Sequence, residues 1–437
     1  MRSPSVVHDV GPRDAERVAL ALRGRPGLAW LDGDGRSEAG RWSFLACDPV
    51  ERIEVRFGEP WLDALGRLGV DGAHAEPSSV AAIAPRWIGW IAYDAAWSHD
   101  APGPRRLRRE RARPVVRWLR YDAVVALDGS CGRAWVVGDD EAAAARLHHA
   151  IERPGEPPRA RANALHVTPA SEHRSAVAAA REAIARGDVY QVNLARCWRA
   201  SFEGEALAVF LTMRRASPVP LGFFLDAGPP VVLGRSMECF LRWEGPGRRL
   251  ETRPIKGTVA RAGPLDDARI AEQLRADPKE RAEHVMIVDM ARNDLGRVAE
   301  TGTVRVERPL EVEPYARLSH MVSTVACVTR REVRAADVMA ATFPPASVTG
   351  APKRAAIQHI EALEPVARGV YCGALGMVTR AGVLHLAVAI RTAQCFGDEL
   401  VYHAGGGIVF DSDPDREIAE TELKARVFLD ALATLSS

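Results

Sequence analysis

Residues Ser171–Leu194 read SEHRSAVAAAREAIARGDVYQVNL, and two periodicities meet inside them. Val177, Ala180 and Ile184 fall on one face at helical spacing, and Gly187 supplies a stop, so the first part is predicted to be a helix. In VYQVNLA, Tyr190, Val192 and Leu194 alternate within a β-branched run, the pattern of a strand. Working outward, WIGWIAYDAAW (Trp87–Trp97) and YDAVVAL (Tyr121–Leu127) are rich in β-branched and aromatic residues and also read as strands. Many strands and several helices follow one another without regular βαβ alternation. The fold class is therefore α+β rather than a doubly wound sheet.

The chain has 437 residues, of which 47% are apolar and 26% charged, ordinary values for a globular protein. Glu152–Arg161, ERPGEPPRAR, places three prolines among charges, which suits neither a helix interior nor a central strand. Residues 152–166 are accordingly expected to be a linker or surface crossing between regions 1–151 and 167–437. A net charge of +1 creates no global field for nucleic acid or membrane. Seven scattered cysteines without a CxxC pair point to reduced thiols and a cytoplasmic protein. The N-terminus lacks a continuous apolar stretch and nowhere do 18 apolar residues run together, so no membrane association is expected. Arg105–Arg120, RRLRRERARPVVRWLR, could be a nucleic-acid patch; in so neutral a chain it reads better as a solvated loop leading into YDAVVAL.

Only Lys256, Lys279, Lys353 and Lys424 are lysines; arginine fills every other basic position. Lys256 lies in TRPIKGTVAR (Thr252–Arg261), between an apolar residue and a glycine. Lysine can serve as nucleophile or base because burial lowers its pKa, which arginine hardly allows. Two helix starts then stand out. Asp277-Pro278 with Glu280, and Asp413-Pro414 with Glu417, suit an N-cap followed by proline at the first helical position. Each helix puts two glutamates on one face three residues apart, Glu280/Glu283 and Glu417/Glu420. If the faces meet, four carboxylates converge, and hard oxygen ligands of that kind suit Mg²⁺. The plainer reading is that Glu280 caps its helix and Glu420 pairs with Lys424.

Three features invite a small anion. Ala404-Gly405-Gly406-Gly407 follows the strand-like ELVYH and is either an anion-approaching backbone or a bulge or tight turn. Arg391 ends the apolar run HLAVAIRTA, as a carboxylate clamp or a strand-end charge. His320, in RLSHMVSTV, is a ligand contact or a core histidine. Gly350–Lys353 does not match the P-loop pattern, which excludes nucleotide binding there.

Together, GDVYQVNLAR, TRPIKGTVAR, ERAEHVMIVDMARNDLGRV, LSHMVSTV, FPPASVTGAPKRAAIQHIEALEP, RGVYCGALGM, AIRTA and HAGGGIVFDSDPDREIAETELKAR resemble the chorismate-utilising enzymes. That family includes anthranilate synthase component I, aminodeoxychorismate synthase component I, and isochorismate and salicylate synthases. GRWSFLACDP and LAWLDGDG resemble its weaker N-terminal signatures. The resemblance implies two large packed antiparallel sheets flanked by helices, with 167–437 as the chorismate-binding region. PIKGT is similar to the aminodeoxychorismate group, where anthranilate synthases carry PIAGT; isochorismate synthases place a lysine here as a base. Ala216–Pro220 lacks the asparagine of the family's tryptophan-binding segment.

What the resemblance implies is a covalent mechanism. Chorismate would bind Mg²⁺ held by Glu283 and Glu420, with Glu280 and Glu417 in support. Neutral Lys256 would attack the ring, and Glu238 would protonate the leaving hydroxyl. Ammonia would then displace the lysine to give 4-amino-4-deoxychorismate, on the way to 4-aminobenzoate and folate. Thr258, His320, Ser347, Tyr371, Arg391, Gly406, Gly407 and Lys424 would surround the substrate. The sequence carries no amidotransferase signature, so ammonia is expected from a glutamine amidotransferase subunit in a heterodimer. Anthranilate synthase, isochorismate synthase and, remotely, an arginine-rich nucleic-acid-binding protein are the alternatives.

Overall fold

In the computed structural model, which describes residues 5–72, 79–99, 113–261, 263–315 and 318–436, the opening stretch is a helix followed by a strand. The helix is Ala170–Ala185, burying His173, Ala176, Val177, Ala180 and Ala183 at spacings of three and four. The strand begins at Gln191, one residue later than the alternation suggests, and Tyr190 stands 67% exposed before it.

Gln191–Gly204 belongs to a twelve-stranded sheet. From one edge the order is Val6–Pro12, Arg133–Gly138, Ala123–Asp128, Trp42–Ala46, Leu28–Asp32, Leu221–Asp226, Val231–Ser236, Thr392–Cys395, Glu399–Ile408, Gln191–Gly204 and Gly350–Ala351, with Ala160–Val167 also beside Gln191–Gly204. A second sheet has ten strands: Ile255–Ala260, Leu318–Val328, Arg249–Arg253, Cys239–Trp243, Leu384–Val388, Ala374–Thr379, Pro85–Ile91, Pro114–Arg120 and Glu51–Arg56, with Arg305–Pro314 also beside Leu318–Val328. Every pairing between named strands is antiparallel. Both sheets draw strands from before and after residues 152–166: Leu28–Asp32 pairs with Leu221–Asp226, and Pro85–Ile91 with Ala374–Thr379.

Side-chain alternation explains the layers. Ala29, Val124, Ala126, Phe223 and Leu225 point into a core shared with Ile53, Trp87, Trp118 and Leu386 of the second sheet. Their neighbours Leu28, Trp30, Val125 and Phe224 point the other way, into a core with Val18, Leu147, Phe210 and Phe428 on helices. A strand apolar on both faces is stable only when both are covered, here by a sheet on one side and helices on the other. The α+β fold of two packed antiparallel sheets flanked by helices is therefore the observed one.

Residues 105–112 of the arginine run lie outside the described residues. From Pro114 onward the expected loop is a strand, with Arg117 and Trp118 buried. Arg117 stays tolerable inside because its guanidinium meets the Pro229 carbonyl at 3.0 Å and Glu54 at 3.0 Å.

Candidate functional site

The site forms where Ile255–Ala260 meets the N-terminal turns of two helices, Pro278–Gly296 and Pro414–Ser436. Both helix starts follow from their sequences. Asp277 Oδ1 accepts from Lys279 N and Glu280 N at 2.9 Å, and Asp413 Oδ1 accepts from Arg416 N at 2.9 Å. Capping at those aspartates sets the rotation of each helix, and hence where the glutamates point.

The glutamates converge on one amine. Lys256 Nζ lies 2.8 Å from Glu283 Oε2 and also feels the charges of Glu420 and Glu280. Burial pulls its pKa down, but the three carboxylates outweigh burial and hold the amine above its ordinary value. With no cation or substrate beside it, this surplus of carboxylate favours the ammonium form of Lys256. Glu280 and Glu417 are raised, each by burial and by the neighbouring carboxylate of its own helix. Lys424 Nζ meets Glu420 Oε1 at 2.5 Å and the Gly405 carbonyl at 2.8 Å. Glu420 is lowered because Lys424 and Lys256 overcome the effect of its burial.

The triple glycine does not form the expected turn. Gly405–Gly407 lie within the strand Glu399–Ile408, paired with Leu194, Ala195 and Asn193, rather than in a turn after it. None of the three has positive φ. They are needed for close approach: a Cβ at Gly407 would sit 3.3 Å from Lys256 Nζ and 2.8 Å from Gln191 Nε2, and one at Gly406 would sit 3.1 Å from Glu417 Oε2 and 3.3 Å from Glu420 Oε1.

Glu238, 4% exposed, stands beside this cluster. Burial pushes its carboxyl up to about 7 against hydrogen bonds from Ser347 and the Ile255 backbone and the charge of Lys256. Thr258 Oγ1 and His320 Nδ1 are 2.8 Å apart on adjacent strands, and burial lowers His320 to about 4, which keeps it neutral. Arg391 adopts φ +52° and donates Nη1 to the Lys424 carbonyl at 2.6 Å, while its charge reaches His320. Tyr371 joins least directly: its ring stacks on His403 at 5.4 Å, and its neighbour Cys372 feels Glu238.

Sequence reasoning missed two wall residues. Gln191 leans over Gly407 from the adjacent strand, and only cross-strand register reveals that. His284 contacts the Lys256 carbonyl; its signal was available as a histidine on the helix's apolar stripe with Ile287, Val288 and Ala291. A separate cavity of about 570 Å³ lies between the sheets, bordered by Leu31, Trp42, Pro220, Arg253 and His385, and contains none of the predicted site residues.

A divalent cation suits this donor set. Four carboxylates face two ammonium groups, leaving a deficit of two charges among oxygen donors. Among the described residues no three His, Cys, Asp or Glu side chains form a metal cage by themselves. Bound cation would therefore need oxygens from water or substrate.

A family model described as chorismate binding enzyme matches residues 28–430. The chain is 36% identical to anthranilate synthase component 1 of Streptomyces coelicolor, over 97% of this chain and 89% of that protein. It is 42% identical to aminodeoxychorismate synthase component 1 of Klebsiella aerogenes, over 54% of this chain and 52% of that protein, about half of either length. Among solved structures, anthranilate synthase component I from Streptococcus pneumoniae superimposes with a TM-score of 0.76 at 28% identity, covering 90% of this chain and 93% of that one.

Proposed function

Because this chain belongs to the chorismate-binding enzyme family, we propose that it aminates chorismate to 4-amino-4-deoxychorismate through a covalent bond to Lys256. The observation that carries the reading is the lysine itself, seated against Gly407 and ion-paired with Glu283 at 2.8 Å. The anthranilate synthase pattern implied by the resemblance has alanine at that position.

In the proposed reaction Lys256 first leaves Glu283 and passes a proton to solvent water, since only the free amine has a lone pair. Its nitrogen bonds to ring C2, both double bonds of the ring diene shift toward C4, and the C4 hydroxyl departs as water with a proton from Glu238. A carboxyl titrating near 7 is still substantially protonated at neutral pH and suits that task. Ammonia then bonds to C4 and gives its surplus proton to the Glu238 carboxylate, both double bonds return, and the lysine leaves as an amine. Neutral His320 and Thr258 would hold a substrate oxygen by hydrogen bonds, and the remaining donors of Arg391 would bind the enolpyruvyl carboxylate. Mg²⁺, held by Glu283 and Glu420 with Glu280 and Glu417 in support, would bind the ring carboxylate and withdraw electron density.

Ammonia is proposed to come from a glutamine amidotransferase subunit; the relatives' designation as component 1 supports a partner of some kind. Seven unpaired cysteines support a reducing, cytoplasmic setting. Among the described residues no helix is long and apolar enough to cross a membrane.

Incubation with chorismate, Mg²⁺ and ammonium, followed by mass analysis, tests the reading. Aminodeoxychorismate is expected. A second reading, anthranilate synthesis, is favoured by the nearly full-length match at 36% identity, and anthranilate as product would select it. Isochorismate would mean that Lys256 activates water instead.

A further inference from the structure

Between Ile255 and Thr258 the pairing with Leu318–Val328 slips register, so Lys256 and Gly257 form a bulge, with Gly257 at φ +89°. A bulge takes a residue out of the ladder, and its carbonyl then needs another donor. His284 stands there. Its Nδ1 lies 3.3 Å from the Lys256 carbonyl oxygen and its Nε2 2.7 Å from Ser323 Oγ. Ser323 Oγ also accepts from Leu310 N at 2.9 Å, where Leu310 itself holds φ +54°.

The polarity of this chain is determined. A carbonyl can only accept, so Nδ1 of the neutral imidazole carries the proton and Nε2 accepts from the Ser323 hydroxyl. Ser323 in turn takes the Leu310 N–H. His284 is completely buried and packs on the apolar stripe of the Pro278–Gly296 helix. The same helical turn therefore grips Lys256 at both ends, Glu283 at the amine and His284 at the carbonyl.

We propose that His284 is a positioning residue for Lys256: its Nδ1–H locks the bulge that aims the lysine across Gly407. His284 acts through the lysine backbone and touches no reacting atom. The activity readout below rests on the amination reading; the labelling readout does not.

Two isosteres separate the halves of the imidazole. His284→Asn keeps an amide donor near the Nδ1 position, whereas His284→Gln puts its amide toward Ser323 and leaves the Lys256 carbonyl without a donor. His284→Gln is expected to lose about tenfold or more in kcat with the KM for chorismate within about twofold, because misaiming a reacting group costs rate rather than binding. His284→Asn should keep the larger share, with both thermal midpoints within a few degrees of each other. Equal losses in the two variants, or none in His284→Gln, overturn the proposal. If the wild type forms no product from chorismate and ammonia, the amination reading fails, and positioning is read from Lys256 directly. Cyanate labelling of Lys256 relative to Lys279, followed by peptide mass spectrometry, should then change in His284→Gln and not in His284→Asn; equal ratios overturn it. Should His284→Gln not fold, Ser323→Ala replaces it, since losing the hydroxyl lets the tautomer reverse. Slower turnover at unchanged KM, or an altered labelling ratio, supports the proposal, and wild-type values sink it.

Discussion

One helix, Pro278–Gly296, holds a partly buried lysine near each of its ends, and the two neighbourhoods differ in charge balance. Near its C-terminal end Lys353 Nζ meets Asp294 at 2.7 Å and the Thr342 carbonyl at 2.6 Å. Burial pulls Lys353 down and pushes Asp294 up, the mark of a pair held out of water. One ammonium faces one carboxylate, and the pair ties the helix to Lys353–Leu363. Near the N-terminal end Lys256 faces Glu283, Glu280 and Glu420, and the excess of negative charge raises it despite burial. Burial of a lysine does not by itself mark chemistry. A surplus of carboxylate around it does, because that surplus is stable only with another cation or a changed protonation state.

Substitutions at the two lysines should therefore fail differently. Lys256→Ala is expected to lower turnover with free ammonia by about 10³ or more, as loss of a nucleophile does, with a thermal midpoint near wild type. Activity within tenfold of wild type would end the distinction. Lys353→Met should do the reverse, costing about 3 kcal/mol in urea unfolding because Asp294 is left buried and unpaired, while folded enzyme keeps its KM. Glu238→Gln should reduce kcat by about 10², the scale of a lost general acid. Its stability profile carries a sign. The unfolded carboxyl ionises near 4.5 and the folded one near 7, so this group's contribution is fully present below 4.5 and is lost as pH rises through 7. Melting curves should show Glu238→Gln gaining on the wild type between pH 5 and 8; a constant gap would contradict the shift. The smallest effects belong to the carboxylates. Glu283→Gln and Glu420→Gln should each raise the Mg²⁺ needed for half-maximal activity about tenfold, and unchanged titrations would remove them as ligands.

Much of this was legible from local pattern. Asp277-Pro278 and Asp413-Pro414 mark helix starts because capping chemistry is local, and i,i+3 spacing then fixes which glutamates share a face. The helix–strand junction at Gly187 was legible for the same reason, although the strand starts at Gln191. The reading of Gly405–Gly407 as a turn failed because glycine's meaning depends on what approaches it. Its neighbours Lys256 and Glu417 are about 150 residues upstream and 10 residues downstream in a chain whose register is set by long-range pairing. The strand Pro114–Arg120 was misread as loop because Arg117 looks solvated until the Pro229 carbonyl and Glu54 are seen to satisfy it.

The sequence by itself determined the α+β class, the rarity of lysine, both glutamate pairs and the resemblance to chorismate-utilising enzymes. Each is a matter of residue type and short-range spacing. Only the tertiary structure decided that Lys256 faces three carboxylates, that the triple glycine clears space inside a strand, and that His284 holds the Lys256 carbonyl. Charge state and hydrogen-bond partners depend on distances between segments remote in the chain, and packing of the sheets and helices sets those distances.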